Sequence, residues 1–275
     1  EALTKNDSRL KIFRYLFLSW ILIWLGWLAG GQVTILSILM WVTAPINQPS
    51  WNVLLSDPLL SIMIFYVIIS FIFWGRGIFC GWLCPFGSLQ EIFAKAAQFF
   101  KIPQIKIPHR INKHLLNIKY ILLTSLILIS FYSAELLNIG SEIEPFKTSI
   151  SMKFQREWYF VAYALSLLIL GLFIERFFCR FICPLGAFMV LGGKLKIRNP
   201  LKRRNECGNP CKLCSKACPI DAIDIKGKIN MNECFYCLDC QSLYYNENMC
   251  PPLVIKRKKT SPIDLTNNKL NEKPA

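Results

Sequence analysis

Charged side chains are almost absent from four long stretches of this chain. None occurs between Arg14 and Asp57, and further uncharged runs extend from Pro58 to Gly75, Tyr120 to Ala134 and Trp158 to Ile174. A helix in a soluble core keeps a polar face at the 3.6-residue period. These runs are apolar all round, and each approaches the roughly 20 residues needed to cross a hydrocarbon core. The pattern therefore predicts four spanning helices, near Tyr15 to Gly30, Pro58 to Trp74, Lys119 to Leu137 and Trp158 to Ile174. Val33 to Ala44 is apolar but too short to span, and reads as interfacial or re-entrant.

The charges orient these helices. Arg76, Lys95, Lys101, Lys106, Arg110 and Lys113 lie between the second and third, and Arg176, Arg180, Lys194, Lys196, Arg198, Lys202, Arg203 and Arg204 follow the fourth. Both groups belong inside by the positive-inside rule. The segments Pro45 to Asp57 and Asn138 to Glu157 are neutral or mixed and face outward. Lys5, Arg9, Lys11 and Arg14 put the start of the chain inside too, so four crossings leave both ends cytoplasmic in a bacterial inner membrane. The net charge of +15 follows largely from this bias. No helix-turn-helix or RNA-binding signature accompanies it, and direct nucleic-acid binding is not expected. Membrane lipid is the expected partner, with Lys256-Arg257-Lys258-Lys259 a possible contact for anionic headgroups.

Cysteine spacing supplies the chemistry. Cys207-x3-Cys211-x2-Cys214-x3-Cys218-Pro219 and Cys234-x2-Cys237-x2-Cys240-x9-Cys250-Pro251 match the pattern of a protein holding two 4Fe-4S clusters. In such ferredoxins the Cys before Pro in each run crosses over to the other cluster. Cys207, Cys211, Cys214 and Cys250 are assigned to the first cluster, and Cys234, Cys237, Cys240 and Cys218 to the second. Zinc sites show separated C-x2-C pairs, and disulfides need an oxidising compartment that the topology denies them. Ile220 to Ile225, a turn at Gly227 and Ile229 to Glu233 read as a short strand pair that would shield the clusters.

The other four cysteines repeat one phrase, Phe79-Cys80-Gly81-Trp82-Leu83-Cys84-Pro85-Phe86-Gly87 and Phe178-Cys179-Arg180-Phe181-Ile182-Cys183-Pro184-Leu185-Gly186. Each follows the second helix of a hairpin at its cytoplasmic end, so the membrane part reads as two parallel repeats about an axis along the membrane normal. Cysteines at i and i+4 share a helix face. Cys80, Cys84, Cys179 and Cys183 could thus form a four-thiol ring where membrane meets cytoplasm. Such a ring could hold a third cluster or another thiophilic metal, cycle between thiol and disulfide, or pack as small hydrophobes. Phe79, Trp82, Phe178 and Phe181 read as interface anchors.

Other candidate groups are few. The two histidines, His109 and His114, lie in the basic inner loop as surface residues, and no predicted span contains a haem ligand. Glu135 and Glu175, at helix ends, are expected to face water or pair locally, although either could handle protons near a quinol. The architecture that follows is an α-helical membrane domain over residues 1–198, with four spanning helices as two parallel helix-hairpin repeats. A small α+β two-cluster ferredoxin-like domain follows over residues 199–254, and a disordered tail over 255–275.

Several segments together are more specific than either ferredoxin run. They are Gly75 to Gly87, Glu144-Pro145-Phe146-Lys147-Thr148, Phe173 to Cys179, Glu206-Cys207-Gly208-Asn209-Pro210-Cys211, and Asn232 to Gln241 with Cys250-Pro251-Pro252-Leu253. In these the chain resembles the NosR family, membrane-bound iron-sulfur flavoproteins required for expression and activity of nitrous oxide reductase. The resemblance implies an electron-transfer component rather than a stand-alone catalyst, delivering electrons toward a periplasmic copper enzyme in denitrification, and a role in transcription. It also implies a quinone or quinol, or another redox donor, and nitrous oxide reductase as a direct or indirect partner. Family members carry an outward-facing domain with FMN on a Thr ahead of the first helix. This chain starts at Glu1 without one and reads as a C-terminal fragment or a split form, so FMN is expected only on the missing region. Two alternatives share parts of the pattern: a NapH-type quinol dehydrogenase subunit for periplasmic nitrate reductase, and a copper-handling or redox-sensing factor of the cytochrome oxidase assembly type.

Overall fold

The computed structural model describes residues 7–31, 33–39, 58–132, 136, 139–192, 201–208, 211–224 and 226–260. The expected outer loop from Pro45 to Asp57, Glu135, and the tail beyond Thr260 lie outside the described residues. The chain forms two compact units: Ile12–Pro200 with Asn230–Cys237, and Glu1–Lys11 with Leu201–Ile229 and Leu238–Ala275.

In the first unit, α1 (Asp7–Trp20) continues through π-helical turns at Ile21–Leu28, and α2 spans Pro58–Trp74. Short turns at Arg76–Ile78 and Phe79–Leu83 then lead into α3 (Pro85–Phe99), and α4 spans His109–Tyr132. The second half repeats this plan with α5 (Trp158–Phe173), α6 (Phe177–Phe181) and α7 (Pro184–Gly192). Helix α3 packs on α5, and α7 packs on α4. Asp7–Leu28 and Arg110–Tyr132 are long and apolar enough to cross a membrane. The apolar helices Ser61–Trp74 and Trp158–Phe173 are shorter than the roughly 20 residues of a full span, so length alone supports two of the four expected crossings.

The Cys-Pro dipeptides that end the two C-x3-C-P phrases start helices for a physical reason. Proline at the first helical position has no N–H to leave unpaired and a φ already suited to the helix. The preceding Cys84 caps α3, its sulfur accepting from the Gly87 amide at 3.5 Å, and Cys183 accepts from the Gly186 amide at 3.2 Å in the same way.

The connections do not stay at one end of the bundle. Arg14 donates to the Gly81 carbonyl at 3.1 Å, whereas Pro85 packs beside Gly26, more than three turns further along the first helix. The first C-x3-C-P phrase therefore runs beside that helix. From the other direction the segment expected as an outer loop folds inward: Phe146, Thr148, Ser149 and Ile150 are buried, and the Trp27 indole donates to the Ser149 carbonyl at 3.3 Å. Phe86, Phe146 and Phe178, one from each of three segments, meet with ring centroids 5.3 to 5.7 Å apart. Phe79, Phe178 and Phe181 are buried core residues and not interface anchors, because the phrases that carry them enter the bundle.

The smaller unit holds short helices α8 (Leu213–Ala217), α9 (Asp239–Tyr245) and α10 (Pro251–Thr260), with α8 against α9. Of the expected strand pair one antiparallel bridge remains, Ile223 with Ile229, closed by the Asp224 amide on the Lys228 carbonyl at 2.9 Å. No strand occurs among the described residues. Asn230–Cys237 belongs to the helical unit, which leaves the hairpin a single rung. The three-residue gap after Cys207 has a local cause: Gly208 (φ 104°) and Gly227 (φ 79°) lie back to back, and a side chain on either would overlap the backbone of the other's turn.

Buried charge ties the helical unit together. Glu91, 3% exposed, accepts from Arg14 at 2.6 and 2.9 Å and from Arg176 Nε at 3.0 Å, with a further close contact to Arg176 Nη2. Burial alone would raise the Glu91 pKa, but the two guanidiniums outweigh it and hold the carboxyl at about 2, against 4.5. A depressed pKa contributes stability that is complete above the unfolded value and lost as pH falls through the folded one. Thermal unfolding of detergent-solubilised protein is therefore expected to show a stability loss between about pH 4.5 and 2 that Glu91→Gln abolishes. The same variant, by leaving two buried cations without their anion, is expected to be less stable at pH 7 by about 3–5 kcal/mol.

Candidate iron-sulfur and thiol centres

The smaller unit gathers Cys207, Cys211, Cys214 and Cys250, the set assigned to the first cluster, together with Cys218 and Cys240. Cys207 and Cys211 face each other across a parallel bridge, and the Cys214 sulfur lies 3.6 Å from the Cys240 carbonyl. Donors surround these sulfurs. Arg204, stacked on the Tyr244 ring at 3.8 Å, reaches Cys250 Sγ at 3.2 Å, and the Ala222 amide points to Cys218 Sγ at 3.4 Å. Amide and guanidinium donors aimed at sulfur are the contacts that stabilise cluster-bound thiolates. The second assigned set is divided: Cys234 and Cys237 belong to the helical unit, Cys218 and Cys240 to the smaller one. There too an amide, that of Tyr236, points at Cys234 Sγ, at 3.4 Å.

The helical unit brings Cys80, Cys84, Cys179 and Cys183 together in its interior. Each of Cys80, Cys179 and Cys183 lies close enough to another of the four for their charges to interact. Cys84, Cys179 and Cys183 are buried, and Met189 Sδ lies 3.7 Å from Cys80 Sγ. Burial pushes the Cys80 thiol up to about 11, opposed by the nearby Arg76, Arg176 and Lys119 cations. Burial likewise raises Cys179 and Cys183. Cys84 and Cys183 also face the positive ends of α3 and α7, the environment that favours thiolate.

Two arginines cross between the repeats around these thiols. Arg176, from the second, donates to the Cys80 carbonyl at 2.6 Å and the Gly81 carbonyl at 3.3 Å. Arg76, from the first, donates to the Gly186 carbonyl at 3.4 Å and to Glu233 at 3.3 Å. Lys119, fully buried, completes this second network with contacts to Glu233 of 2.7 and 2.8 Å. Arg76, Arg176 and Lys119 act on the Cys80 thiol, while Glu175 joins Glu91 in offsetting Arg176. Among the described residues no three His, Cys, Asp or Glu side chains close around one point as the shell of a single metal ion.

One acidic residue that composition and spacing left unremarked joins this site. Glu144, 3% exposed, accepts from the Ile35 amide at 3.1 Å and from the Leu185 amide at the start of α7, and interacts with Cys183. In the sequence it stands out only as part of the Glu144 to Thr148 segment that carries the family resemblance, in a stretch read as an outer loop. Burial raises its pKa to about 8, despite the two amides that favour the charged form. Of the other candidates, Glu175 pairs locally, accepting from Gln98 at 3.3 Å with Lys95 at 3.9 Å, and His114 is exposed. The His109 side chain lies outside the described residues.

A raised carboxyl pKa adds stability that is complete below the unfolded value of 4.5 and is lost as pH rises through about 8. Infrared difference spectra at pH 7 are accordingly expected to show a protonated carboxyl band that fades through about pH 8. The band should be missing from Glu144→Gln; its persistence there would assign it to another group.

Comparison with known proteins adds to this geometry. The NosR family model matches residues 205–261, and a model described as a 4Fe-4S binding domain matches residues 58–105 and 158–204. The latter pair covers the two C-x3-C-P phrases and not the ferredoxin-type runs. The regulatory protein NosR of Stutzerimonas stutzeri is 45% identical over 259 residues, 94% of this chain and 36% of that protein. The protein NirI of Paracoccus denitrificans is 44% identical over 261 residues, 95% of this chain and 38% of its own length. A regulatory protein NosR of Pseudomonas aeruginosa is 60% identical over 81 residues, 30% of this chain and 81% of that sequence. The chain thus spans little more than a third of the two longer relatives. No solved structure matches it.

Proposed function

Because the chain belongs to the NosR family, we propose that it is the membrane-bound iron-sulfur electron-transfer portion of a protein that supports nitrous oxide reductase in denitrification. Its partners on this reading are membrane lipid, a quinol or other redox donor, and that enzyme, reached directly or through an intermediary. Four spanning helices in two parallel repeats, with both ends cytoplasmic, remain the topology that the charge distribution favours. The pairing of Glu233 with Lys119 fits it, since the ferredoxin-type loop then meets the end of α4 that follows the basic loop.

The eight ferredoxin-type cysteines would hold two 4Fe-4S clusters, which supply one-electron chemistry at a potential set by burial and by donors to sulfur. The Ala222, Tyr236 and Arg204 donors suit that role. We further assign Cys80, Cys84, Cys179 and Cys183 to a third, anionic centre of cluster type. The observation that carries this is the grouping itself: the two repeats bring the four sulfurs together beside Arg76, Arg176 and Lys119, cations that favour the thiolate form. Thiolates bound to a cluster would be stabilised by that charge.

Anaerobically purified protein is expected to contain about twelve irons per chain, four for each of three cubanes. Replacing Cys80 and Cys179 with Ser should remove about four and one EPR signal of the dithionite-reduced protein, leaving the ferredoxin-type signals. About eight irons per chain, unchanged by those substitutions, would eliminate the third centre.

A further inference from the structure

We propose that the Asn230–Cys237 loop is the electron-transfer junction between the ferredoxin-type cluster ligated by Cys234 and Cys237 and the four-cysteine centre, with Phe235 as its positioning residue. The inference rests on the assignment of a redox centre to Cys80, Cys84, Cys179 and Cys183. Two of the second cluster's assigned ligands lie within this loop, and the loop is part of the helical unit.

The loop is seated by contacts of several kinds. The Phe235 ring, 2% exposed, lies between the guanidiniums of Arg76 and Arg176, whose carbons are 4.6 and 4.8 Å from its centroid. These are the arginines that reach across the repeats, Arg176 to the Cys80 carbonyl and Arg76 to the Gly186 carbonyl. One aromatic ring is thus fixed by both halves of the thiol site. Tyr236 extends the hold, its hydroxyl donating to the Trp74 carbonyl at 2.8 Å and its carbonyl accepting from the Trp82 indole at 3.0 Å.

Backbone approach is closest next to Cys80. Any Cβ at Gly81 would overlap the Phe235 carbonyl, so only glycine permits the contact. The second phrase has Arg180, a buried residue, at the equivalent place. Tyr236 adopts φ 50° while its amide faces Cys234 Sγ, a strained backbone for a bulky residue and one that persists only where surroundings fix it. A purely mechanical anchor would need neither the approach to Cys80 nor a ligand-bearing loop.

The step is a one-electron exchange. The centre on the Cys234 and Cys237 side is oxidised by one electron as the four-cysteine centre is reduced by one, with no bond broken and no proton moved. The opposite direction balances in the same way.

The test uses the full chain in nanodiscs, photoreduced by a deazaflavin flash under argon and followed by freeze-quench EPR, with amide hydrogen exchange over residues 230–237. Gly81→Ala and Phe235→Ala are expected to retain iron, to expose the loop amides to exchange, and to slow equilibration between the centres by about tenfold or more, the factor that accompanies each 1.4 kcal/mol of lost docking. Trp82→Phe, which deletes one hydrogen bond, should give a smaller slowing and serves if either harsher variant loses iron. Raised exchange with an unchanged equilibration rate would overturn the junction. Wild-type protein lacking any signal that depends on Cys80 and Cys179 would instead remove the four-cysteine centre, and the junction with it.

Discussion

Buried ion pairs between distant segments hold the helical unit together. Arg14 and Arg176 share Glu91, and Arg76 and Lys119 share Glu233. A cation removed from water must be paired or it destabilises the fold by several kcal/mol. The pairing fixes α1, α3 and α4 relative to the broken segments after α2 and α5. It also draws Glu233 and its loop into the same body, and it places cations where four thiols meet.

Those cations give the C-x3-C-P phrase its chemical sense. Cys before Pro starts a helix whose dipole and amides face the sulfur, while the other cysteine lies one turn earlier beside a crossing arginine. Neutral thiols would gain little from such surroundings, and burial favours the neutral form. A cluster held by these cysteines would displace the thiol protons and place negative charge beside the arginines. Two such phrases in one chain form by repetition what neither could form alone.

Glu144 gives the site a different character beside Cys183. A carboxyl held between the amides of Ile35 and Leu185 and raised toward pH 8 by burial is a group that exchanges protons near neutrality. It reaches the thiols because the segment from Glu144 to Ser151 folds inward and packs Phe146 against Phe86 and Phe178. The interior thus has basic residues and a protonatable acid, joined through an aromatic core.

The sequence by itself determined the helical class, the two apolar repeats, the arrangement of eight cysteines in two ferredoxin-type runs and the doubling of Cys80-x3-Cys84 in Cys179-x3-Cys183. Each of these follows from local spacing or from the length of an uncharged run, and such signals survive without knowledge of neighbours. Tertiary structure alone decided that the phrases are buried, that Phe79, Phe178 and Phe181 are core residues, that the expected strand pair shrinks to one rung, and that Glu144 and Phe235 join the thiol site. Those outcomes depend on which distant groups meet, Arg14 with Glu91, Arg76 with Glu233, Gly81 with Phe235. Pairings between residues 70 to more than 150 positions apart leave no periodic mark on a single chain, because what selects them is the cost of unpaired charge and the space between backbones in the folded interior.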